Sequence, residues 1–138
     1  MDSARAMAAW LNDSQEGESF PEEGSGTRSA TIFDPEGARE QLGIDASGFA
    51  RIFDCIWLEV SERRSLLDEA FKANDLATVA LHAHTIKSSA ATIGAEALSQ
   101  AAFAVELAAI ARKHDELVAA LAAFNTAKET LSKLLGMG

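Results

Sequence analysis

The sequence predicts an all-α protein, an antiparallel up-down four-helix bundle with a short N-terminal helix across one end and a flexible N-terminal arm. Three observations carry this. Alanine dominates the composition and tyrosine is absent; alanine is the best helix former and a poor strand former. Apolar residues recur at three- and four-residue steps through four long stretches joined by very short turns, and such turns allow little except antiparallel packing. No stretch alternates with period two for long enough to make a strand.

Residues 1–33 make the arm, which is acidic. Its segment ARAMAAWL can form a short helix over about residues 3 to 11, with Met7, Trp10 and Leu11 on one side. Whether Trp10 docks on the body of the protein or is simply tail stays open. The following NDSQEGESFPEEGSGTRSAT is polar, acidic and punctuated by Gly and Pro, so it reads as flexible. Asp34-Pro35-Glu36 starts a helix: an N-cap carboxylate, a proline at the first helical position and an acid in the first turn. That helix is short and ends at Gly43. Asp45 caps a longer one, whose apolar series includes Phe49, Phe53, Ile56, Val60, Leu67 and Phe71. Asn74-Asp75 closes it and caps the next, which runs from about Leu76 to Ile93 and ends at Gly94. A further helix from about Glu96 to Arg112 carries Leu98, Ala102, Val105 and Ala109. Lys113 and His114 form the break, with Asp115 as the expected cap. The last helix shows Leu117, Leu121, Phe124, Lys128, Leu131 and Leu135 and stops at Gly136. Residues 34–138 are thus expected to form one bundle domain without internal repeat.

A chain of 138 residues has room for a real core. The formal charge of −9, with an isoelectric point near 4.7, argues against nucleic acid or an anionic membrane surface as partner, since both would repel it. No apolar run approaches a membrane span and Met1-Asp2-Ser3 opens no signal peptide, so a cytoplasmic protein is expected. Cys55, the single cysteine, cannot form an internal disulfide; it and Trp57 are expected to have packing roles, with Cys55 buried. There is no P-loop, and Gly24-Ser25-Gly26 in the arm is the only glycine-rich stretch. The chain is therefore not expected to use ATP to charge a residue of its own.

The helix around LHAHTIKSSAATIG raises the functional question. At about 100° per residue, Val79, Ala83, Ile86, Ala90 and Ile93 form its core stripe, flanked by His82 and Ser89. Ala80, Leu81, His84, Ser88 and Ala91 lie opposite, with Lys87 one turn from His84. An ordinary solvated face would carry Glu, Lys, Gln or Arg. Here the outward face is small and partly apolar, which leaves an imidazole open to a bulky partner and gives that partner something to bury. Imidazole titrates near neutrality and can act as a nucleophile. Lysine is a point charge suited to phosphoryl oxygens, and phosphoryl transfer asks a protein mainly for positioning and charge compensation. His82 and His84, two apart on a helix, face away from one another and cannot chelate one metal ion; no metal site is expected. His82 reads as a boundary histidine hydrogen-bonded within the bundle, and His114 as a loop histidine near a helix C-terminus.

Ala83-His84-Thr85-Ile86-Lys87-Ser88-Ser89-Ala90-Ala91-Thr92-Ile93-Gly94-Ala95, followed by Leu98 and by Val105-Glu106, closely resembles the histidine-containing phosphotransfer (HPt) domains of two-component phosphorelays. The resemblance runs from about Asp34 to the C-terminus. It implies a four-helix bundle whose exposed histidine accepts a phosphoryl group from one receiver-domain aspartate and passes it to another. His84 is then the phosphorylated residue, with Nε2 attacking, and Lys87 faces the phosphoryl group. Ala80, Leu81, Ser88 and Ala91 are expected to meet the partner. Ser88 stands where the family usually has glycine, which bears on rate or partner preference more than on role. Glu106 stands where the family often has an acid, either near the histidine face or in solvent. The partners implied are response-regulator receiver domains and a sensor or hybrid histidine kinase. No cofactor of the chain's own is implied, Mg2+ coming from the receiver, and a monomer is expected. A non-catalytic adaptor for receiver domains and a bundle self-associating through Leu81 are the alternatives.

Overall fold

A computed structural model describes residues 32–136, so the expectations for Trp10 and the helix around it lie outside the described residues. Five helices occur among them, and no strand: α1 Pro35–Leu42, α2 Ala46–Lys72, α3 Leu76–Thr92, α4 Glu96–Ala111 and α5 His114–Leu134. The first three begin as the sequence predicts. The carboxylates of Asp34, Asp45 and Asp75 accept from the backbone N–H of Gly37 (3.1 Å), Gly48 (2.8 Å) and Thr78 (3.2 Å). Each such cap satisfies a donor the helix cannot and is worth about 1 kcal/mol. α4 and α5 start without a side-chain cap, at Ala95 and Lys113. Ala95 is buried, which leaves no place for a polar group there.

Contacts between helices establish the antiparallel order. Glu59 and Arg63 of α2 meet Ser89 and His82 of α3; His84 and Lys87 of α3 meet Glu106 of α4. Arg64 and Trp57 of α2 meet Asn125 and Lys128 of α5, closing the ring of four. Across α2–α3 and α2–α5 the residue number rises on one helix as it falls on the other, and across α3–α4 His84 meets Glu106 while the Lys87 carbonyl, further along α3, meets Ser99 at the start of α4. The core between the helices holds no buried polar or charged residue among those described. Phe49, Phe53 and Val60 of α2, Ile86 and Ala90 of α3, Leu98 of α4 and Phe124 of α5 are nearly or wholly inaccessible. α1 lies across the turn between α3 and α4. Asp34 N–H donates to the Gly94 carbonyl at 2.8 Å, and a Cβ at Gly94 would strike the carbonyl of Asp34. With φ at +81°, residue 94 favours glycine twice over.

Three expectations are corrected. Cys55 is exposed, because the stripe of α2 runs through Phe53, Ile56 and Val60 and turns position 55 outward. Its neighbour Trp57 does have the packing role expected of it: half-buried against the core, it stacks on Phe53 with centroids 5.6 Å apart, under the ammonium of Lys128 at 5.0 Å. His114 is no loop residue but the first residue of α5, its ring stacked on Phe71 at 5.7 Å; Lys113, not Asp115, holds the cap position. Phe33, assigned to the arm, belongs to the core and meets Phe53 edge-on at 5.7 Å.

Candidate functional site

Burial of Val79, Ala83, Ile86 and Ala90 fixes how α3 is rotated and leaves His84 outermost, its side chain 55% exposed. The imidazole is not free to spin. Its Nδ1 lies 3.1 Å from Oε2 of Glu106, which α4 delivers from the flank of its own buried series Ala102, Val105 and Ala109. An ionised carboxylate can only accept, so in the neutral imidazole Nδ1 carries the proton and Nε2, on the ring edge away from Glu106, has the lone pair. That is the form in which imidazole is a nucleophile.

The second oxygen of the same carboxylate serves Lys87, whose Nζ stands 3.1 Å from Glu106 Oε1. Oε1 is enclosed and has no aligned hydrogen bond, so the ammonium compensates it as an ion pair rather than a directed donor. Lys87 also lies over the face of Phe103, 4.5 Å from the ring centroid. Beneath it, Ser99 Oγ donates to the Lys87 carbonyl at 2.9 Å and ties α3 to α4 at that level. An imidazole and an ammonium thus share one largely buried carboxylate, with the ring's free nitrogen outward.

Of the four residues expected to meet a partner, three are exposed. Leu81 is 59% exposed, and Ser88 and Ala91 are exposed beside His84. Ala80 is the exception: it is half-buried and packed against the core. It shares with Lys87 the side of α3 turned toward α4, and the close approach of that helix covers it. The other flank of His84 is supplied by residues the sequence reading did not single out. Phe103, Leu107 and Ile110 of α4 are 42%, 50% and 62% exposed, a second apolar row at helical spacing beside Glu106. A helix apolar on more than its core stripe was the available signal. Ser99 offered none, since its role depends on the level at which two helices meet.

The remaining histidines stand apart. His82 Nδ1 accepts from Arg63 Nη1 at 3.2 Å in the seam between α2 and α3. Burial, and then the Arg63 charge, lower its pKa from the ordinary 6.5. His82 and His84 thus serve opposite seams. Among the described residues no three His, Cys, Asp or Glu converge into a group able to hold a metal ion, and no helix is long and apolar enough to cross a membrane.

The family model described as the Hpt domain matches residues 51–136, from the first turns of α2 through α5. No curated protein and no solved structure matches. With an all-helical bundle and most of its length matched, the chain belongs to the Hpt domain family, whose members are phosphocarriers rather than enzymes and work with the kinases and receiver domains of phosphorelays.

Proposed function

We propose that the chain is a phosphorelay intermediate that takes a phosphoryl group onto His84 from a receiver-domain aspartate and gives it to a second receiver. The observation that carries this is the outward imidazole whose Nδ1 is held by Glu106 while Lys87 holds the other oxygen. Nε2 attacks phosphorus, the bond from phosphorus to the aspartyl oxygen breaks, and the aspartate leaves as a carboxylate. The ring becomes a phosphorylated imidazolium with its proton still on Nδ1, and Glu106 compensates the new positive charge. Lys87 offsets the charge on the phosphoryl oxygens. Transfer onward is the same displacement in reverse. Mg2+ would be held by the acidic pocket of the receiver and would supply charge compensation for the phosphoryl group there.

The partner lands on the open ground around His84. Leu81 flanks the ring on α3, Ser88 and Ala91 leave it unobstructed, and the α4 row of Phe103, Leu107 and Ile110 adds apolar area. A receiver burying this patch excludes water from the transfer and strengthens the charge pairing within it.

Incubation with a phosphorylated receiver tests the proposal. Wild type gains an acid-labile, base-stable phosphate and His84→Gln gains none; equal labelling of the variant ends the assignment. Lys87→Ala keeps the fold and slows transfer, and unaltered kinetics remove that residue from the mechanism. Receiver binding without any phosphohistidine supports the adaptor instead.

A further inference from the structure

The ammonium of Lys87 has two partners of different kinds: a carboxylate oxygen at 3.1 Å and an aromatic face at 4.5 Å. The carboxylate alone is a poor place to keep a lysine intended for a phosphoryl group. Glu106 and phosphohistidine both carry negative charge and would compete for one cation. A ring face attracts an ammonium through its quadrupole without neutralising it. Phe103 stands on α4 one turn before Glu106, and Ser99, one turn further back, pins the backbone of Lys87 to the same helix. The lysine is thereby kept at the α3–α4 seam while its charge stays available. At 42% exposure Phe103 is not a core residue, and the packing of α4 does not account for an aromatic side chain there.

We propose that Phe103 is a positioning residue for phosphoryl transfer, its ring face holding the Lys87 ammonium beside His84 so that the charge can pass from Glu106 to the phosphoryl group. This rests on the phosphorelay reading of His84. Because Phe103 also lies on the surface offered to a receiver, its test must do without one.

Phosphoramidate serves as the small-molecule donor to the full chain: Nε2 of His84 attacks phosphorus, the phosphorus–nitrogen bond breaks, and ammonia leaves with the proton. The lifetime of the phosphohistidine is then followed in wild type, Phe103→Leu, Phe103→Trp, Lys87→Ala and the Phe103→Leu/Lys87→Ala double variant. Phe103→Leu, which keeps bulk but loses the ring, shortens the lifetime about threefold, the size of a cation–π contact at a half-exposed site. Phe103→Trp retains or lengthens it. In the Lys87→Ala background Phe103→Leu has no further effect, since the cycle isolates the pair. A wild-type lifetime in Phe103→Leu, or the same loss with and without Lys87, overturns the proposal.

A second measurement needs no phosphate. Ring current from Phe103 shifts the Lys87 Cε protons upfield in the NMR spectrum of the unmodified chain, and Phe103→Leu abolishes the shift; unshifted protons in wild type also overturn the proposal. Failure of His84 to take phosphate while the shift is present overturns the phosphorelay reading and this role with it, and leaves the contact itself established, so the two failures are told apart.

Discussion

Glu106 touches two side chains with its two oxygens, and neutralising it separates their demands. In Glu106→Gln the amide oxygen can still accept from His84 Nδ1, which preserves the tautomer, but neither the imidazolium nor Lys87 retains a counter-charge. A charge-assisted hydrogen bond exceeds a neutral one by roughly 1.4 kcal/mol, so phosphorylation of His84 by a receiver should fall about tenfold, with little change in receiver affinity. Rapid-quench transfer measured against receiver concentration checks this; an unchanged limiting rate would show that the carboxylate charge is irrelevant. The residue scale is also where sequence reading reached its limit. His84 and Lys87 were legible because a single helix and its stripe place them. Glu106 stayed ambiguous because its environment depends on how α4 is rotated and slid against α3, and no pattern within one helix encodes that. Cys55 was misplaced for a related reason: a small apolar residue next to a stripe does not report which side of it is covered.

Helix ends repeat the contrast between what is local and what is not. Capping aspartates and left-handed terminators are local chemistry, and Asp34, Asp45, Asp75, Gly43, Gly94 and Gly136 stand where the sequence put them. The start of α5 was misread because Asp115 looks like a cap, whereas Lys113 occupies that position with a cation at the positive end of the helix dipole. Its contact with Glu116, 3.8 Å between two exposed side chains, offsets little. Lys113→Asp should therefore raise stability by about 1 kcal/mol, read as a higher urea midpoint at unchanged slope. At the opposite end, Gly94→Ala combines a left-handed backbone with a clash against the Asp34 carbonyl and should lose about 2–4 kcal/mol. A loss below about 0.5 kcal/mol would mean that α1 does not pack tightly against this turn.

For the molecule as a whole, four amphipathic patterns and short connections were enough to specify the bundle, and the wholly apolar core matches that simplicity. The exposed row on α4 was not foreseen, since an apolar residue off the core stripe looks like more core until the neighbouring helices are in place. Stability toward acid should carry the mark of His82. Its folded pKa is lowered from 6.5, so the unfolded chain binds more protons once the pH drops toward that value. Stability then rises with pH across the interval from the lowered value up to about 6.5 and falls as acid is added. His82→Gln keeps an acceptor for Arg63 without a titrating group, and should flatten the stability profile just below the ordinary value of 6.5; identical slopes in the two proteins would count against the seam as the cause.

The row Phe103, Leu107 and Ile110 has a further consequence when set beside the triad on the seam. On the phosphorelay reading reactivity rests on His84, Lys87 and Glu106, whereas Leu107 and Ile110 are exposed side chains outside that triad. On that reading, exchanging those two side chains should redirect the carrier to another recipient and leave its intrinsic reactivity untouched. Duplicated copies of such a chain could diverge into insulated signalling lines by altering little more than one turn of one helix.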